Sequence, residues 1–382
     1  MASNNEKVLF ITNDFGPRAG GIETFIVGLI ERRAFATTIV YTSAQENSKE
    51  YDANWERKFG VKVVRDSSKI LLPTPKVARR ISMLVKTENI KTVAFGAAAP
   101  LGLLAHSIKR AGIVRIVALT HGHEVWWARV FPFNLLMRRI GRGVDSLTYL
   151  GEYTHQKISR ALDQRAKLAM VKIAPGIDTQ HFRPRNSEDL RKSLNLGEKK
   201  VIVCVARLVH RKGQDRLIEA MPQILRSVPN AHLLIVGEGP YRQHLVKRVN
   251  QLKIEDAVTF VGRIGYEQLP EYICVGDLFA MPSRSRFWGL EVEGLGISYL
   301  EASACGLPVI AGSSGGAPDA VDEGKSGVVV SGIDNDAIAK AVVKLLNDPE
   351  TSKAMGHYGR NWVVEKWRWE IWSEAFEQLL KK

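Results

Sequence analysis

The 382 residues are 45% hydrophobic and 25% charged, as in an ordinary globular chain and unlike a fibrous, disordered or membrane-embedded one. No window reaches the roughly 18 uncharged apolar residues of a spanning helix, and Met1-Ala2-Ser3-Asn4-Asn5-Glu6-Lys7 lacks the basic start and apolar core of a leader, so a cytoplasmic protein is expected. The net charge of +14 is uneven: residues 51–150 hold 17 Lys and Arg against 6 Asp and Glu, and residues 251–350 hold 7 against 15. A basic first half selects polyanionic partners, among them a membrane surface, a nucleic acid and an anionic metabolite.

Taken in order, the chain opens on the strand Val8 to Thr12, the loop Asn13 to Gly21 and a helical pattern from Ile22 to Arg33. Strand, glycine loop and helix form the phosphate-approach arrangement of a Rossmann-like half. The alternation continues with strands near 37–43, 61–66, 91–96, 115–120 and 145–150 and helices near 74–88, 100–111, 134–141 and 152–162. Short apolar runs between helical patterns predict a parallel sheet covered on both faces. The polar stretch Ile177 to Pro184 reads as an inter-domain passage. A second alternation follows, with strands near 201–206, 231–237, 257–262, 278–282, 308–312 and 327–330 and helices near 214–227, 241–252, 266–274, 297–305, 336–347 and 351–366. The chain ends on an amphipathic pattern from Trp369 to Leu380. At this length two domains are expected, residues 1–170 together with 368–382, and residues 171–367. Cys204, Cys274 and Cys305 make neither a disulfide framework nor a metal spacing and read as buried small hydrophobes.

The chemistry concentrates between Glu293 and Pro308, where a carboxylate precedes the turn Gly294-Leu295-Gly296, a helix starts near Ile297, and Gly306 with Pro308 closes it. The first N–H groups of such a helix have no intrahelical partner and carry the positive end of its dipole, so the turn can bring an anion to them. Glu301, about one turn further in, can accept hydroxyls of a ligand whose phosphates lie at the helix start. Eight helical residues span about 12 Å, too far for Glu293 and Glu301 to act on one bond as a glycosidase pair does. Strand 201–206 runs into Arg207-Leu208-Val209-His210-Arg211-Lys212-Gly213, where Arg207 and Lys212 at a carboxyl edge can neutralise a leaving diphosphate without a metal. Asp334-Asn335-Asp336 has the look of a metal motif, but its place before an apolar helical run is explained more simply by capping. Thr120-His121-Gly122-His123-Glu124 ends another strand, and its two histidines form only a weak metal signal.

The Glu293-to-Pro308 stretch resembles the retaining nucleotide-sugar glycosyltransferases of family 4. Thr12-Asn13-Asp14-Phe15, Gly96 to Leu101, Thr120 to Val125, Arg207 to Gly213 and Gly289 to Gly296 are similar to the bacterial GDP-mannose-dependent phosphatidylinositol-monomannoside mannosyltransferases of the PimB type. The resemblance implies the GT-B fold, α/β with two Rossmann-like domains facing a cleft and a C-terminal helix crossing back to the first. It implies a nucleotide-sugar substrate, GDP-mannose, with no metal and no other cofactor. It assigns His121, Arg207, Lys212 and Glu293 to catalysis, and Gly20, Gly21, Arg263, Ile264, Gly294, Leu295, Gly296, Ile297 and Glu301 to the donor. His121 would meet the transferred sugar, Gly20 and Gly21 the phosphates, the backbone at Arg263 and Ile264 the base, Glu301 the ribose and Asp14 the acceptor. Phe287-Trp288 depart from the small, glycine-rich residues expected before Gly289.

A lipid acceptor accounts for the basic half. Pro75 to Lys86 sets cations beside an apolar face, and Trp126 to Phe133 with Leu135 to Arg139 interleaves aromatics with arginine, the composition of an anionic interface. The expected partner is therefore an anionic phospholipid surface at the inner face of the plasma membrane, not nucleic acid. Two other readings stay open: a family 4 transferase using UDP-glucose or UDP-N-acetylglucosamine with a soluble acceptor, and, from pI ≈ 9.6, a basic nucleic-acid-binding protein.

Overall fold

A computed structural model describes residues 6–18 and 20–381. The leader-free reading of Met1–Asn5 and the Ala19 position of the glycine loop lie outside the described residues. The chain divides into two compact units, Met1–Gly176 with Trp369–Lys382, and Ile177–Arg368.

In the first unit seven strands, β1 (Val8–Thr12), β2 (Thr38–Thr42), β3 (Lys62–Arg65), β4 (Thr92–Phe95), β5 (Arg115–Ala118), β6 (Ser146–Tyr149) and β7 (Met170–Lys172), form one sheet in the order 3-2-1-4-5-6-7. Every neighbouring pair is parallel. Parallel strands buried on both faces must be apolar throughout, and β1 and β4 are buried at every position. The order reverses between β1 and β4, so the loops after these strands open beside one another at the carboxyl edge. β7 corrects the expected boundary at residue 170. This three-residue strand pairs with β6 at the sheet edge and carries the first unit on to Gly176, and a strand this short leaves no apolar run to read.

The helix Ser48–Phe59 was also not expected. Trp55 is its only buried residue, so it has no apolar stripe; the indole packs with Phe15, Tyr51 and Phe59 instead. The final helix, Trp369–Lys381, belongs to the first unit, as the resemblance implied. Phe376 lies 5.9 Å from Phe10 between ring centroids, and Arg32 stacks 4.5 Å from the Trp369 ring. A Cβ on Gly28 would stand 2.3 Å from the Trp369 ring, so glycine there is what lets the helix dock.

The second unit has six parallel strands, β8 (Lys200–Val205), β9 (Ala231–Val236), β10 (Val258–Gly262), β11 (Leu278–Met281), β12 (Val309–Gly312) and β13 (Gly327–Val330), in the order 10-9-8-11-12-13. The doubly wound order repeats, and its reversal lies between β8 and β11. Cys204 and Cys305 are buried as expected; Cys274 is only half-buried, with its thiol donating to the Arg183 carbonyl at 3.5 Å. No helix among the described residues is long and apolar enough to cross a membrane.

Candidate active site

In the second unit the loops after β8, β11 and β12 converge. After β8 the chain makes a short 3-10 turn, His210–Lys212, and closes it at Gly213 with φ +78°, where a Cβ would stand 1.9 Å from the Pro282 carbonyl oxygen. Only glycine fits there, on conformation and on space. The turn aims Arg211 and Lys212 at Glu293, which is 7% exposed: Lys212 Nζ lies 2.7 Å and Arg211 Nη1 2.8 Å from its Oε2. Burial alone would raise the Glu293 pKa, but Lys212 and Arg211 outweigh it and hold the carboxyl below its ordinary range. Glu293 is therefore an ionised, doubly clamped carboxylate.

The turn after it is built as tightly. Gly296 caps the helix Ile297–Ala304 at φ +84°, and a Cβ on it would meet the Tyr299 ring at 2.4 Å. Tyr299 is buried and donates to the Met281 carbonyl at 2.6 Å, tying the helix start to the end of β11. On the other side the loop after β12 presses in. Gly316 N donates to the Glu293 carbonyl at 2.8 Å, Glu293 N donates to Ser314 Oγ at 3.2 Å, and a Cβ on Gly315 would stand 2.3 Å from that same Glu293 carbonyl. No side chain caps the helix, so its first N–H groups and the positive end of its dipole are left to a bound anion. One turn along, burial pushes Glu301 up to about 7, partly offset by Lys212, a carboxyl poised between donor and acceptor at neutral pH.

Lys212, Glu293, Glu301 and the Gly294–Gly296 turn are thus assembled together, with Leu295 buried beneath the turn and Ile297 at the helix start. Arg207 is not part of this clamp. It is exposed, and among the described residues its guanidinium makes no ion pair. The partner of Glu293 that sequence reasoning missed is Arg211, adjacent to Lys212 in a run of three basic residues whose register only the 3-10 turn sets. Also missed is the buried bidentate pair of Arg284, in the loop after β11, with Asp215, in the first turn of the helix Gln214–Ser227, at 2.9 and 2.7 Å. Sixty-nine residues separate them, and no local pattern links them. Arg263 is exposed and Ile264 half-buried just after β10, at the same carboxyl edge.

The departure at Phe287-Trp288 takes a definite shape. Arg286 and Glu291 exchange backbone hydrogen bonds at 2.8 and 3.3 Å, closing a small hairpin. At its tip Phe287, Trp288 and Gly289 have φ of +48°, +52° and +82° in succession. The left-handed region is where glycine is favoured and a bulky side chain is strained, which is the physical reason small residues are expected there.

Asp334 accepts from Ala337 N at 3.0 Å and caps the helix Asn335–Asn347.

In the first unit the loops after β1 and β5 carry the expected residues. Asp14 follows β1 with its N–H on Thr12 Oγ1 at 2.9 Å. Its pKa is raised, first by burial and then by Glu23. Arg18 pairs with both acids, at 3.4 Å from Asp14 and 2.8 Å from Glu23. Gly20 caps the helix Gly21–Glu31, and a Cβ there would strike the Glu23 carboxylate at 2.3 Å, whereas Gly21 has open space around it. His121 Nε2 lies 2.5 Å from the Gly96 carbonyl, the His121 backbone N–H donates to the buried Glu124 carboxylate at 2.9 Å, and the ring meets Phe25 edge-on at 5.6 Å. Burial lowers its pKa, so the ring is neutral at pH 7. His123 turns to Glu124 at 3.2 Å and to the Ala99 carbonyl at 3.3 Å, a structural role.

The family described as "Glycosyl transferases group 1" matches residues 186–362. The GDP-mannose-dependent α-(1-6)-phosphatidylinositol monomannoside mannosyltransferase of Mycolicibacterium smegmatis is 45% identical over 98% of this chain and 98% of its own. The GDP-mannose-dependent monoacylated α-(1-6)-phosphatidylinositol monomannoside mannosyltransferase of Corynebacterium glutamicum is 40% identical over 99% of each. Among solved structures, Anabaena HepE in complex with UDP superposes with a TM-score of 0.83 at 18% identity, over 98% of this chain and 99% of that one. Sucrose-phosphate synthase from Thermosynechococcus elongatus gives 0.79 at 21% identity over 98% of each. These two share the fold of two parallel-sheet Rossmann-like units. With near-full-length identity far above 30% to the mannosyltransferases, the chain belongs to the group 1 glycosyltransferases and, within them, to the phosphatidylinositol monomannoside mannosyltransferase family.

Proposed function

We propose that this enzyme transfers mannose from GDP-mannose to the inositol of a phosphatidylinositol mannoside, with retention of configuration and without a metal. The reading rests on near-full-length identity to mannosyltransferases of that named specificity, together with the clamp of Lys212 and Arg211 on Glu293 at an uncapped helix start. Lys212, Arg207 and the N–H groups from Gly294 to Ile297 would receive the diphosphate, Glu301 the ribose and the backbone at Arg263 and Ile264 the base. Glu293 would orient the mannose hydroxyls. For the first unit we propose that Gly20 and Gly21 approach the phosphates, His121 meets the transferred sugar and Asp14 places the acceptor.

The anomeric carbon's bond to the phosphate oxygen breaks, and its charge spreads over an oxocarbenium-like state. The acceptor hydroxyl adds from the same face while the departing phosphate oxygen takes its proton. Fixed cations supply the charge stabilisation that a metal would otherwise give. Purified enzyme with GDP-mannose and vesicles bearing a phosphatidylinositol monomannoside should form the dimannoside, and do so in EDTA. Turnover only with UDP-glucose or UDP-N-acetylglucosamine would reject the donor, and loss in EDTA with rescue by magnesium would reject the metal-free chemistry.

A peripheral seat on the inner face of the plasma membrane follows from the acceptor, and the helix Pro75–Thr87 supplies a candidate surface for it. Lys76, Arg79, Met83 and Lys86 are all exposed on one stripe, following exposed Ile70 and Leu72. Arg80 is set apart by its pairing with buried Asp66 at 2.5 Å. Each basic residue near an anionic surface contributes about 1 kcal/mol, so neutralising Lys76, Arg79 and Lys86 should weaken attraction by roughly 3 kcal/mol. Sedimentation with anionic liposomes measures this, and binding unchanged in the triple variant and in high salt would place the docking face elsewhere.

A further inference from the structure

Two consecutive large aromatics stand in a backbone conformation that disfavours them, and they are turned outward. Phe287 is 59% and Trp288 93% exposed. The strain at their left-handed φ values is therefore not repaid by burial within the fold. The hairpin holding them is well built: besides its backbone bonds, Arg286 Nη1 pairs with Glu291 at 3.3 Å, and the Arg286 guanidinium lies 4.7 Å from the Phe287 ring centroid. Its base is wired to the candidate active site, because Arg211 reaches Glu291 at 3.6 Å and Glu293 at 2.8 Å. The tip is thus positioned by the same guanidinium that clamps Glu293. Exposed aromatics over an arginine base are the arrangement suited to the boundary between lipid headgroups and hydrocarbon.

We propose that the Phe287–Trp288 tip contacts the apolar glycerolipid part of the acceptor at the membrane surface, and so makes the enzyme prefer an acceptor presented in a bilayer to the same headgroup free in water. This rests on the lipid-acceptor reading above. It adds a specificity element carried by the second unit, separate from the basic stripe of the first. The hairpin's base shares Arg211 with Glu293, and this link gives the tip its role: an acceptor hydroxyl brought to a sugar held at Glu293 carries its lipid portion toward the hairpin.

The test is the double variant Phe287→Gly, Trp288→Gly, in which glycine suits the left-handed backbone, so the thermal midpoint should not fall. Two acceptors are compared: the phosphatidylinositol monomannoside in vesicles of phosphatidylcholine and phosphatidylglycerol, and its deacylated, water-soluble glycerophosphoinositol mannoside. The variant should lose about tenfold or more in kcat/KM on vesicles, mostly through the acceptor KM, from the apolar contact removed. Turnover of the soluble acceptor and the KM for GDP-mannose should stay within about twofold of wild type. Trp288→Phe should retain most of the vesicle preference. Equal loss on both acceptors would overturn the proposal and put the rings against the sugar, and no loss on either would overturn it outright. Wild-type enzyme inactive on both acceptors would instead reject the lipid-acceptor reading itself.

Discussion

Lys212→Ala should lower kcat by on the order of 10²-fold or more with saturating GDP-mannose, while the enzyme stays folded. The expectation follows from where the ammonium sits. It is 12% exposed, 2.7 Å from Glu293, at the mouth of a helix start that no side chain caps. A cation held there before the reaction stabilises charge as it develops on the leaving diphosphate, without reorganisation at the moment of bond cleavage. Its removal also leaves the buried Glu293 to Arg211 alone. Glu293 titrates below its ordinary value of 4.5 in the folded protein, so its contribution to stability is complete above that value and lost as pH falls through the depressed folded pKa. With Lys212 gone the folded pKa rises, and the acid limb of the stability curve should move to higher pH. Lys212→Arg keeps the charge but not the compact ammonium, and should recover only part of the rate. Steady-state kinetics beside thermal melts from pH 4 to 8 make the check. A kcat within about threefold of wild type would remove Lys212 from leaving-group stabilisation.

Glu293→Gln should cut kcat by a comparable factor, and no covalent sugar adduct should form on the wild-type residue. Double displacement needs a nucleophile on the sugar face opposite the leaving group. Glu293 directly precedes the turn proposed to cradle the diphosphate, and both its neighbours are cations that hold its charge in place. A carboxylate held ionised between two cations is a fixed, charged hydrogen-bond acceptor for sugar hydroxyls. The glutamine keeps the shape and loses the charge, so Lys212 and Arg211 lose their counter-ion and the sugar loses its strongest acceptor. Mass spectrometry of enzyme quenched during turnover of a slow fluorinated GDP-mannose analogue decides the matter, and a hexosyl adduct on Glu293 would restore double displacement.

Much of this site was legible because it is local. Glu293, the Gly294–Gly296 turn and Glu301 lie within nine residues, and a helix start dictates which of them face a bound anion. Lys212 was legible as the residue that follows a strand at a carboxyl edge. Phe287-Trp288 could be seen in the sequence as a departure from small residues, but that the departure is conformational, a run of positive φ, emerged only from the backbone. The stripe on the helix Pro75–Thr87 shows the same division. The sequence marked four cations there, and only the fold separated Lys76, Arg79 and Lys86 from Arg80, whose charge is engaged by Asp66.

By itself the sequence determined the two doubly wound sheets, because apolar runs of strand length alternating with amphipathic helices can bury both faces of a parallel sheet in no simpler way. It determined the glycine at the start of the Ile297–Ala304 helix, Gly296, whose φ of +84° leaves little choice of residue. Only the tertiary structure decided which cations meet Glu293, since Arg211 and Lys212 lie 82 and 81 residues before it and the register of a single 3-10 turn separates them from Arg207. It alone decided the pairing of Asp215 with Arg284 and the edge strand β7, where three residues take their conformation from the neighbouring strand. The physical reason is the same in each case: periodicity and turn chemistry act over a few residues, whereas ion pairs and sheet edges are settled by chain segments that only folding brings together.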